Sequence, residues 1–225
     1  MLQTQYRMAP AIGDLVSECF YSAPLLPGRG NPKPFFKFLP KQFGSIVTWV
    51  DTSGLGDRAF DHRLKNLSFN NKLEAEVVLN LLRSLSSSEE FLRALMDDTH
   101  EDEKPIGVIA TYAEQKRLIQ RRLSEEDWAV GFGNLVKVDT VDSYQGKENR
   151  IIILSLTRNN RLFEQGYLHS PERTNVSISR AMDRLVIVGA KRMWSEARTP
   201  FSRNPAEQPD VDHQVFTRPR TISSL

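Results

Sequence analysis

Two apolar runs, residues 151–156 and 185–189, constrain the fold of this chain more than any other feature of its sequence. Both are rich in β-branched side chains, a pattern typical of strands that are buried on both faces of a parallel sheet covered by helices. A polar cluster precedes each run, at residues 139–150 and 173–181. These clusters should therefore lie at strand ends, where folds of this kind place ligands.

The rest of the sequence alternates between strand and helix patterns. Apolar segments predict further strands at residues 45–50, 106–110 and 135–138. Amphipathic spacing predicts a helix that starts near Pro10, a second capped by Asn70 or Asn71 and broken at residues 84–88, a third at residues 89–96, and a fourth that contains Leu118, Ile119 and Leu123. This order favours an α/β fold with a parallel, doubly wound sheet.

Composition sets only broad limits. The 225 residues are 40% hydrophobic and 26% charged, with a net charge of +2, so one large, mildly basic domain is expected. The single cysteine, Cys19, excludes an intramolecular disulfide and fits a reducing compartment. Because there is no long uncharged apolar run and no signal-peptide pattern, we expect a soluble, cytoplasmic protein without a membrane partner.

The two ends of the sequence differ from its middle. Residues 1–8 begin without a capping or folding preamble, so we expect the chain to be part of a longer protein. Periodicity is lost after Trp194, and residues 197–225 are polar with scattered Pro, Arg and Ser. We expect a domain over residues 1–196, followed at residues 197–225 by a polar tail that is either a linker or a disordered end.

Three motifs together identify a family resemblance. They are Gln5-Tyr6-Arg7-Met8, the segment 140–148 (Thr-Val-Asp-Ser-Tyr-Gln-Gly-Lys-Glu) and the segment 175–181 (Asn-Val-Ser-Ile-Ser-Arg-Ala). In this order they resemble the second RecA-like motor domain of superfamily 1B helicases, the branch of the nonsense-mediated-decay helicase and related 5′-to-3′ enzymes. The resemblance covers residues 2–190 and implies a RecA-like P-loop NTPase fold, with a mostly parallel sheet flanked by helices.

The resemblance implies roles for six residues at an ATP site between two motor domains. Tyr6 would stack beside the adenine with Gln5 next to it, Arg7 would reach the γ-phosphate, Glu148 would bind the ribose hydroxyls, Gly146 would allow close backbone approach, and Arg180 would be the arginine finger. The finger role suits arginine, because a planar, permanently charged guanidinium can bridge the phosphoryl oxygens of the transition state.

The resemblance also implies a grip on single-stranded DNA or RNA by Thr140, Ser143 and Asn175. Short hydroxyl and amide groups suit a grip on the backbone that does not read sequence. A further family motif places a threonine and a proline before a tyrosine. Here Tyr112 and the later Gln115 match, but Ala110 and Thr111 replace the threonine and proline. Thr111 would then take over the backbone contact.

A P-loop is absent from the whole sequence, because Gly146-Lys147 is followed by Glu148 and not by a hydroxyl residue. No Asp-Glu pair follows an apolar strand to hold Mg²⁺ either. The resemblance therefore implies that a first motor domain of the same parent protein holds ATP and Mg²⁺. We expect the isolated chain not to hydrolyse ATP. The alternative function is a RecA-like nucleic-acid-binding or regulatory module without ATPase activity, whose parent would carry a degenerate upstream P-loop.

Each implied nucleotide role has a simpler structural alternative. Arg180 could be an ordinary arginine on a helix surface, and Tyr6 could anchor the entry of the first helix. Glu148 could pair with Lys147 or Arg150. These alternatives stay open at the level of sequence.

The remaining candidates also have structural alternatives. Thr140 and Ser143 could cap the following turn, as such residues often do. Phe35, Phe36 and Phe38 could form a stacking platform for bases, or they could anchor their loop in the core. No metal site is expected, since no metal-ligand spacing relates His62, His100, His169 and His213.

Overall fold

The computed structural model of the protein describes residues 4–100 and 103–195, and the backbone of residues 211–215. Its strands are β1 (Thr4–Gln5), β2 (Leu26–Pro27), β3 (Val47–Asp51), β4 (His62–Arg63), β5 (Phe69–Asn70), β6 (Ile106–Ala110), β7 (Val136–Thr140), β8 (Asn149–Ser155), β9 (Ala181–Gly189) and β10 (Val211–Val215). Six of them form one parallel sheet in the order β10-β3-β9-β8-β6-β7. β1 pairs with β2, and β4 pairs with β5, outside this sheet.

Helices cover both faces of the sheet. They are α1 (Pro10–Phe20), α2 (Lys72–Ser86), α3 (Glu89–Asp97), α4 (Ala113–Ser124), α5 (Pro171–Ile178) and the short α6 (Arg192–Ser195). Side chains of α2, α3 and α4 pack in one apolar cluster with one face of the strands, and those of α1 and α5 pack with the other face. The predicted RecA-like α/β fold with a parallel sheet is confirmed. Within the described part of the chain, no helix has the length and apolar character needed to cross a membrane.

The strand β8 shows why its sequence is a continuous apolar run. Ile151 and Ile153 belong to the cluster under α2 and α4, whereas Ile152 and Leu154 belong to the cluster under α1 and α5. All four side chains are fully buried. Alternate residues of a strand point to opposite faces, so a sheet covered on both sides requires apolar side chains at every position.

The start of α2 is fixed by Asn71, one of the two residues proposed as its cap. The Asn71 side chain accepts a hydrogen bond from the Glu74 backbone amide at 3.0 Å. The predicted break at residues 84–88 was placed too early, because the helix continues to Ser86. The hydroxyls of Ser84 and Ser86 donate to the carbonyls of Leu81 and Arg83, so these serines are accommodated within the last turn.

The polar tail contributes a strand that the sequence did not predict. β10 pairs in parallel with β3 at the edge of the sheet, in the register Val211 with Val47 to Val215 with Asp51. Residues 196–210 and 216–225 lie outside the described residues. The boundary proposed near residue 196 stays a prediction.

A buried carboxyl group connects α2 to the turn that follows β8. Glu74 is fully buried and accepts hydrogen bonds from the Ser155 hydroxyl at 2.8 Å and the Thr157 backbone amide at 2.7 Å. Thr157 has φ of 65°, a left-handed conformation that is rare and strained for a β-branched residue. Burial raises the pKa of Glu74 to about 8, although these two hydrogen bonds oppose the shift.

This pKa predicts that stability falls as pH rises. The folded protein binds the Glu74 proton more tightly than the unfolded chain, so the stabilisation is complete below the ordinary pKa of a glutamate and is lost as pH rises through about 8. Denaturant unfolding between pH 5 and pH 9 should show this decline. Glu74→Gln should remove most of it, whereas Glu76→Gln, at an exposed position of the same helix, should leave it unchanged. Equal slopes for all three proteins would contradict the prediction.

Candidate functional site

Three predicted nucleotide-site residues come together at the amino ends of the central strands of the sheet. Arg7 Nε donates a hydrogen bond to the carboxylate of Glu148, and Arg7 Nη1 donates to the Ser179 carbonyl at 3.3 Å. Arg180 donates from Nε to the Val176 carbonyl at 3.1 Å and from Nη1 to the Lys147 carbonyl at 3.4 Å. We call Arg7, Glu148 and Arg180 the arginine–glutamate cluster.

This cluster lies at the amino ends of its strands. Glu148 immediately precedes β8, and Arg180 immediately precedes β9. The prediction that the polar residues lie at strand ends is confirmed for both. However, ligands of open α/β sheets ordinarily bind at the carboxyl ends of the strands. The amino ends are therefore not where such a sheet usually forms a complete ligand site by itself.

The electrostatics of the cluster favour an incoming anion. Burial lowers the pKa of Arg180, the charge of Arg7 lowers it further, and Glu148 partly opposes both effects. Two guanidinium groups therefore share one carboxylate, which is itself 43% exposed. Glu148 pairs with Arg7 and not with Lys147 or Arg150, the two partners proposed from sequence.

The segment that carries Arg7 is held by its own glutamine and by a distant loop. Gln5 Oε1 accepts hydrogen bonds from the backbone amides of Arg7 at 3.1 Å and Met8 at 2.7 Å, and Nε2 donates to the Met8 carbonyl at 2.9 Å. Arg29 Nη1 donates to the Arg7 carbonyl at 2.8 Å. The Gln5 side chain is thus occupied within its own turn, which gives it a structural role, and its expected cofactor contact stays a prediction.

Tyr6 and Gly146 are both accessible beside this cluster. The Tyr6 side chain is 74% exposed, which excludes the alternative that it anchors the entry of α1 in the core. Gly146 has φ of +80°, a left-handed conformation that favours glycine. No atom lies within 4 Å of the position that a Cβ would occupy there, so the backbone of this turn is open to a ligand.

Thr140 and Ser143 meet at the opposite, carboxyl ends of the strands. Thr140 ends β7, and its hydroxyl donates to the Ser143 hydroxyl at 3.1 Å. Neither side chain caps the single turn at Asp142–Tyr144, because that turn has no side-chain cap. The two hydroxyls therefore bond to each other at the carboxyl end of β7 and do not cap the turn that follows.

Two ion pairs flank this hydroxyl pair. Lys116 Nζ lies 2.9 Å from Asp139 Oδ1, and Arg173 Nε lies 3.8 Å from Asp142 Oδ1. The Arg173 guanidinium also lies over the Tyr167 ring, 3.6 Å from its centroid, and the Tyr167 hydroxyl donates to Asp142. Each cation beside the hydroxyl pair is thus matched by a carboxylate.

The other two predicted nucleic-acid contacts do not join this pair. Thr111 is buried, and its hydroxyl lies 3.0 Å from both the Leu156 carbonyl and the Thr157 hydroxyl. The expected contact of Thr111 with a nucleic-acid backbone stays a prediction that this burial does not favour. Asn175, in α5, has its Nδ2 3.5 Å from the hydroxyl of Tyr21, which follows α1. Of the four candidates, the structure brings together only Thr140 and Ser143.

The aromatic loop residues act mainly as anchors. Phe36 is buried and Phe35 packs on the same core cluster, where both lie against the ring of Phe91. Phe38 is 37% exposed, with Lys37 over its ring. The anchor interpretation is therefore correct for Phe35 and Phe36.

Sequence reasoning missed the buried ion pairs that position the Arg7 segment. Asp183, inside the apolar strand β9, is fully buried and accepts a hydrogen bond from Arg29 Nη2 at 2.5 Å and a second from Arg150 Nε. Arg29 thereby connects Asp183 to the Arg7 carbonyl. The detectable signal was an aspartate within an otherwise apolar strand, because a buried carboxylate must be paired.

Comparison with known proteins identifies the family. Residues 1–192 match the family model described as "AAA domain". The chain belongs to the AAA domain family. It is 31% identical to the helicase required for RNAi-mediated heterochromatin assembly 1 of Schizosaccharomyces pombe, over 98% of this chain and 21% of that protein. It is 30% identical to the 5′-3′ DNA helicase ZGRF1 of Mus musculus, over 95% of this chain and 11% of that protein.

A third relative carries a similar name. The ATP-dependent helicase NAM7 of Saccharomyces cerevisiae is 30% identical over 85% of this chain and 18% of its own length. These relatives confirm the resemblance of this AAA domain to the superfamily 1B helicases. The chain spans about a fifth or less of the length of these three relatives.

The buried pairs around Asp183 lead to a stability prediction for this AAA domain. Asp183→Asn should lower the free energy of unfolding by about 3 kcal/mol, because Arg29 would lose its carboxylate partner and Arg150 would keep only Asp98. Urea unfolding measures this loss. Asp98→Asn is the matched control, since Asp98 also pairs with Arg150 but is 20% exposed, and its loss should be clearly smaller. Equal losses would contradict the role assigned to Asp183.

Proposed function

We propose that this chain is the C-terminal motor domain of an ATP-dependent helicase that moves 5′-to-3′ along single-stranded DNA or RNA. The observation that carries the proposal is the convergence of Arg7, Glu148 and Arg180 from three separate segments at one edge of the sheet. The sequence has no phosphate-binding loop of its own. Such an edge is suited to complete a nucleotide site on a first motor domain of the same parent protein.

In this proposal the first motor domain holds ATP and Mg²⁺, and this chain supplies groups across the cleft. Arg180 uses two of its five N–H donors on carbonyls, which leaves donors available for the γ-phosphoryl oxygens. Arg7 would leave Glu148 for a phosphate, and Glu148 would then accept hydrogen bonds from the ribose hydroxyls. Tyr6 offers its exposed ring to the adenine. Each guanidinium stabilises charge that develops during phosphoryl transfer.

At the other edge, Thr140 and Ser143 would hold the nucleic-acid backbone. Their hydroxyls can donate to phosphate or sugar oxygens of any sequence. Asn175 would make a separate backbone contact, because its amide lies beside the Tyr21 hydroxyl and not beside the hydroxyl pair. Opening and closing of the ATP cleft would move this grip relative to the first motor domain, and translocation would follow.

The arginine finger is tested in the parent protein. Arg180→Ala should lower kcat for nucleic-acid-stimulated ATP hydrolysis by about 10³-fold or more while leaving nucleotide affinity within a few-fold. Arg180→Lys should recover only part of the rate, since an ammonium group lacks the rigid planar fork of donors with which a guanidinium binds two phosphoryl oxygens. Arg121→Ala, at an exposed arginine of α4, is the control and should hydrolyse ATP normally.

Full ATPase activity in Arg180→Ala would refute the finger. If the parent protein hydrolyses no ATP at all but still binds nucleic acid, the alternative of a regulatory module is correct.

The flanking ion pairs predict how the grip responds to salt. Asp142→Asn should free Arg173 for a phosphate, so affinity for a single-stranded oligonucleotide should rise. The slope of log affinity against log salt should steepen by about 0.7, the value for one added phosphate contact on a single strand. Fluorescence anisotropy of this chain with a labelled oligonucleotide measures both quantities.

Two further variants complete this test. Thr140→Ala should weaken binding without changing the salt slope, because a hydroxyl carries no charge. Glu125→Gln frees an arginine away from the hydroxyl pair and should change neither quantity. An unchanged slope in Asp142→Asn would show that Arg173 does not reach the backbone.

A further inference from the structure

A groove at the amino ends of the strands adjoins the arginine–glutamate cluster, and the lysines that line it have no role in the proposed motor function. It has a volume of about 940 Å³ and runs beside the edge strand β7. Its polar lining includes three lysines, Lys104, Lys137 and Lys147, together with Gln120 and Ser124. The groove meets the arginine–glutamate cluster at Glu148 alone, because neither Arg7 nor Arg180 lines it.

The three lysines carry charge that the surrounding described residues do not neutralise. Lys104 Nζ donates to the Val136 carbonyl at 3.3 Å, and no described carboxylate lies within 4 Å of Lys104 or Lys137. Lys147 has only Asp139, at 4.0 Å, and that carboxylate is already paired with Lys116 at 2.9 Å.

The acidic residues of the groove are largely engaged elsewhere. Glu148 binds Arg7, and Glu126 accepts a hydrogen bond from the Trp128 indole at 2.6 Å. Glu103 also lines the groove, but it makes no ion pair within the described residues. The fourth cation of the lining, Arg150, is neutralised by Asp98 and Asp183. The lysines therefore form a local excess of positive charge.

The energetic cost of this arrangement is visible at Lys137. Burial lowers its pKa to about 8, and the neighbouring Lys147 and Lys104 contribute to the shift while Asp139 opposes it. The chain holds these ammonium groups close together, because β7 fixes Lys137 and the turn after Tyr144 fixes Lys147, whose amide donates to the Tyr144 carbonyl at 3.0 Å. An anion placed among them would relieve the repulsion.

We propose that this groove binds an anion with phosphate chemistry through Lys104, Lys137 and Lys147. Lysine is a common phosphate ligand, acting as a compact point charge with three N–H donors. The Gln120 and Ser124 side chains add neutral polar groups to the same wall. A small phosphate and a phosphodiester of a nucleic acid share this chemistry, and the test distinguishes them.

The test is a titration of this chain with inorganic pyrophosphate, followed by NMR of the lysine side chains across pH. Saturable binding should raise the pKa of Lys137 towards its ordinary value. Lys137→Gln and Lys147→Gln should each weaken binding by about tenfold or more, the loss expected for one charged contact. Lys65→Gln, at an exposed lysine of a distant loop, is the control and should bind normally.

A second arm replaces pyrophosphate with a single-stranded oligonucleotide. If only the oligonucleotide shifts the Lys137 pKa, and Lys137→Gln weakens oligonucleotide binding, the ligand is a phosphodiester. If pyrophosphate shifts this pKa and Lys137→Gln weakens pyrophosphate binding, the ligand is a small phosphate. Arg180→Ala should change neither result, which separates this site from the proposed nucleotide site.

The proposal is overturned if neither probe shifts the Lys137 resonance. It is also overturned if Lys65→Gln weakens binding as much as Lys137→Gln does, or if Arg180→Ala abolishes binding.

Discussion

The position of the arginine–glutamate cluster depends on the register between β8 and β9. The Asn149 amide donates to the Arg180 carbonyl at 3.1 Å, and Asn149 pairs with Ala181. Glu148 and Arg180, which precede these two residues, are thereby placed side by side although they lie 32 positions apart in sequence. A slip of one residue would turn every side chain of a strand to the opposite face, so the apolar side chains that set this register also set the site.

The segment between β7 and β8 runs from the carboxyl ends of the strands to their amino ends with a single 3-10 turn at Asp142–Tyr144 and no α-helix. It leaves Thr140 at the carboxyl edge and arrives at Glu148 on the amino edge, a distance of about 16 Å for five residues of strand. Tyr144 anchors its middle, fully buried, with its hydroxyl on the Lys137 carbonyl at 3.2 Å. This crossing needs Gly107 beneath it, because a Cβ there would lie 2.4 Å from the Tyr144 hydroxyl. A short, well-packed segment of this kind is a physical route by which the two candidate sites can influence each other.

Local chemistry explains why some elements were predictable from sequence and others were not. The strand at residues 106–110 was predicted with its observed bounds, because its residues are buried on both faces and nothing else suits such a run. The pairing of Glu148 with Arg7 was not predictable, since it joins residues 141 positions apart and competes with two nearer arginine and lysine partners. β10 escaped detection because a strand at the edge of a sheet needs less apolar sequence than a central one.

Thr111 shows the limit of carrying a role over from a family motif. Its predecessor in the strand, Ala110, is buried, and the turn that follows directs the Thr111 hydroxyl towards the strained residue Thr157. Thr157 is held by Glu74, whose contribution could not be read from the motif because it comes from α2. Motifs identify which residue types belong to a site, but the packing of distant elements decides which of them face a ligand. At the amino ends of the strands the same packing keeps Arg7 and Arg180 close together with one carboxylate, Glu148, near both, an arrangement that repulsion and burial make costly. Because Glu148 can balance only one of the two guanidinium groups, the cluster carries an excess positive charge that an anion held by a partner domain would offset.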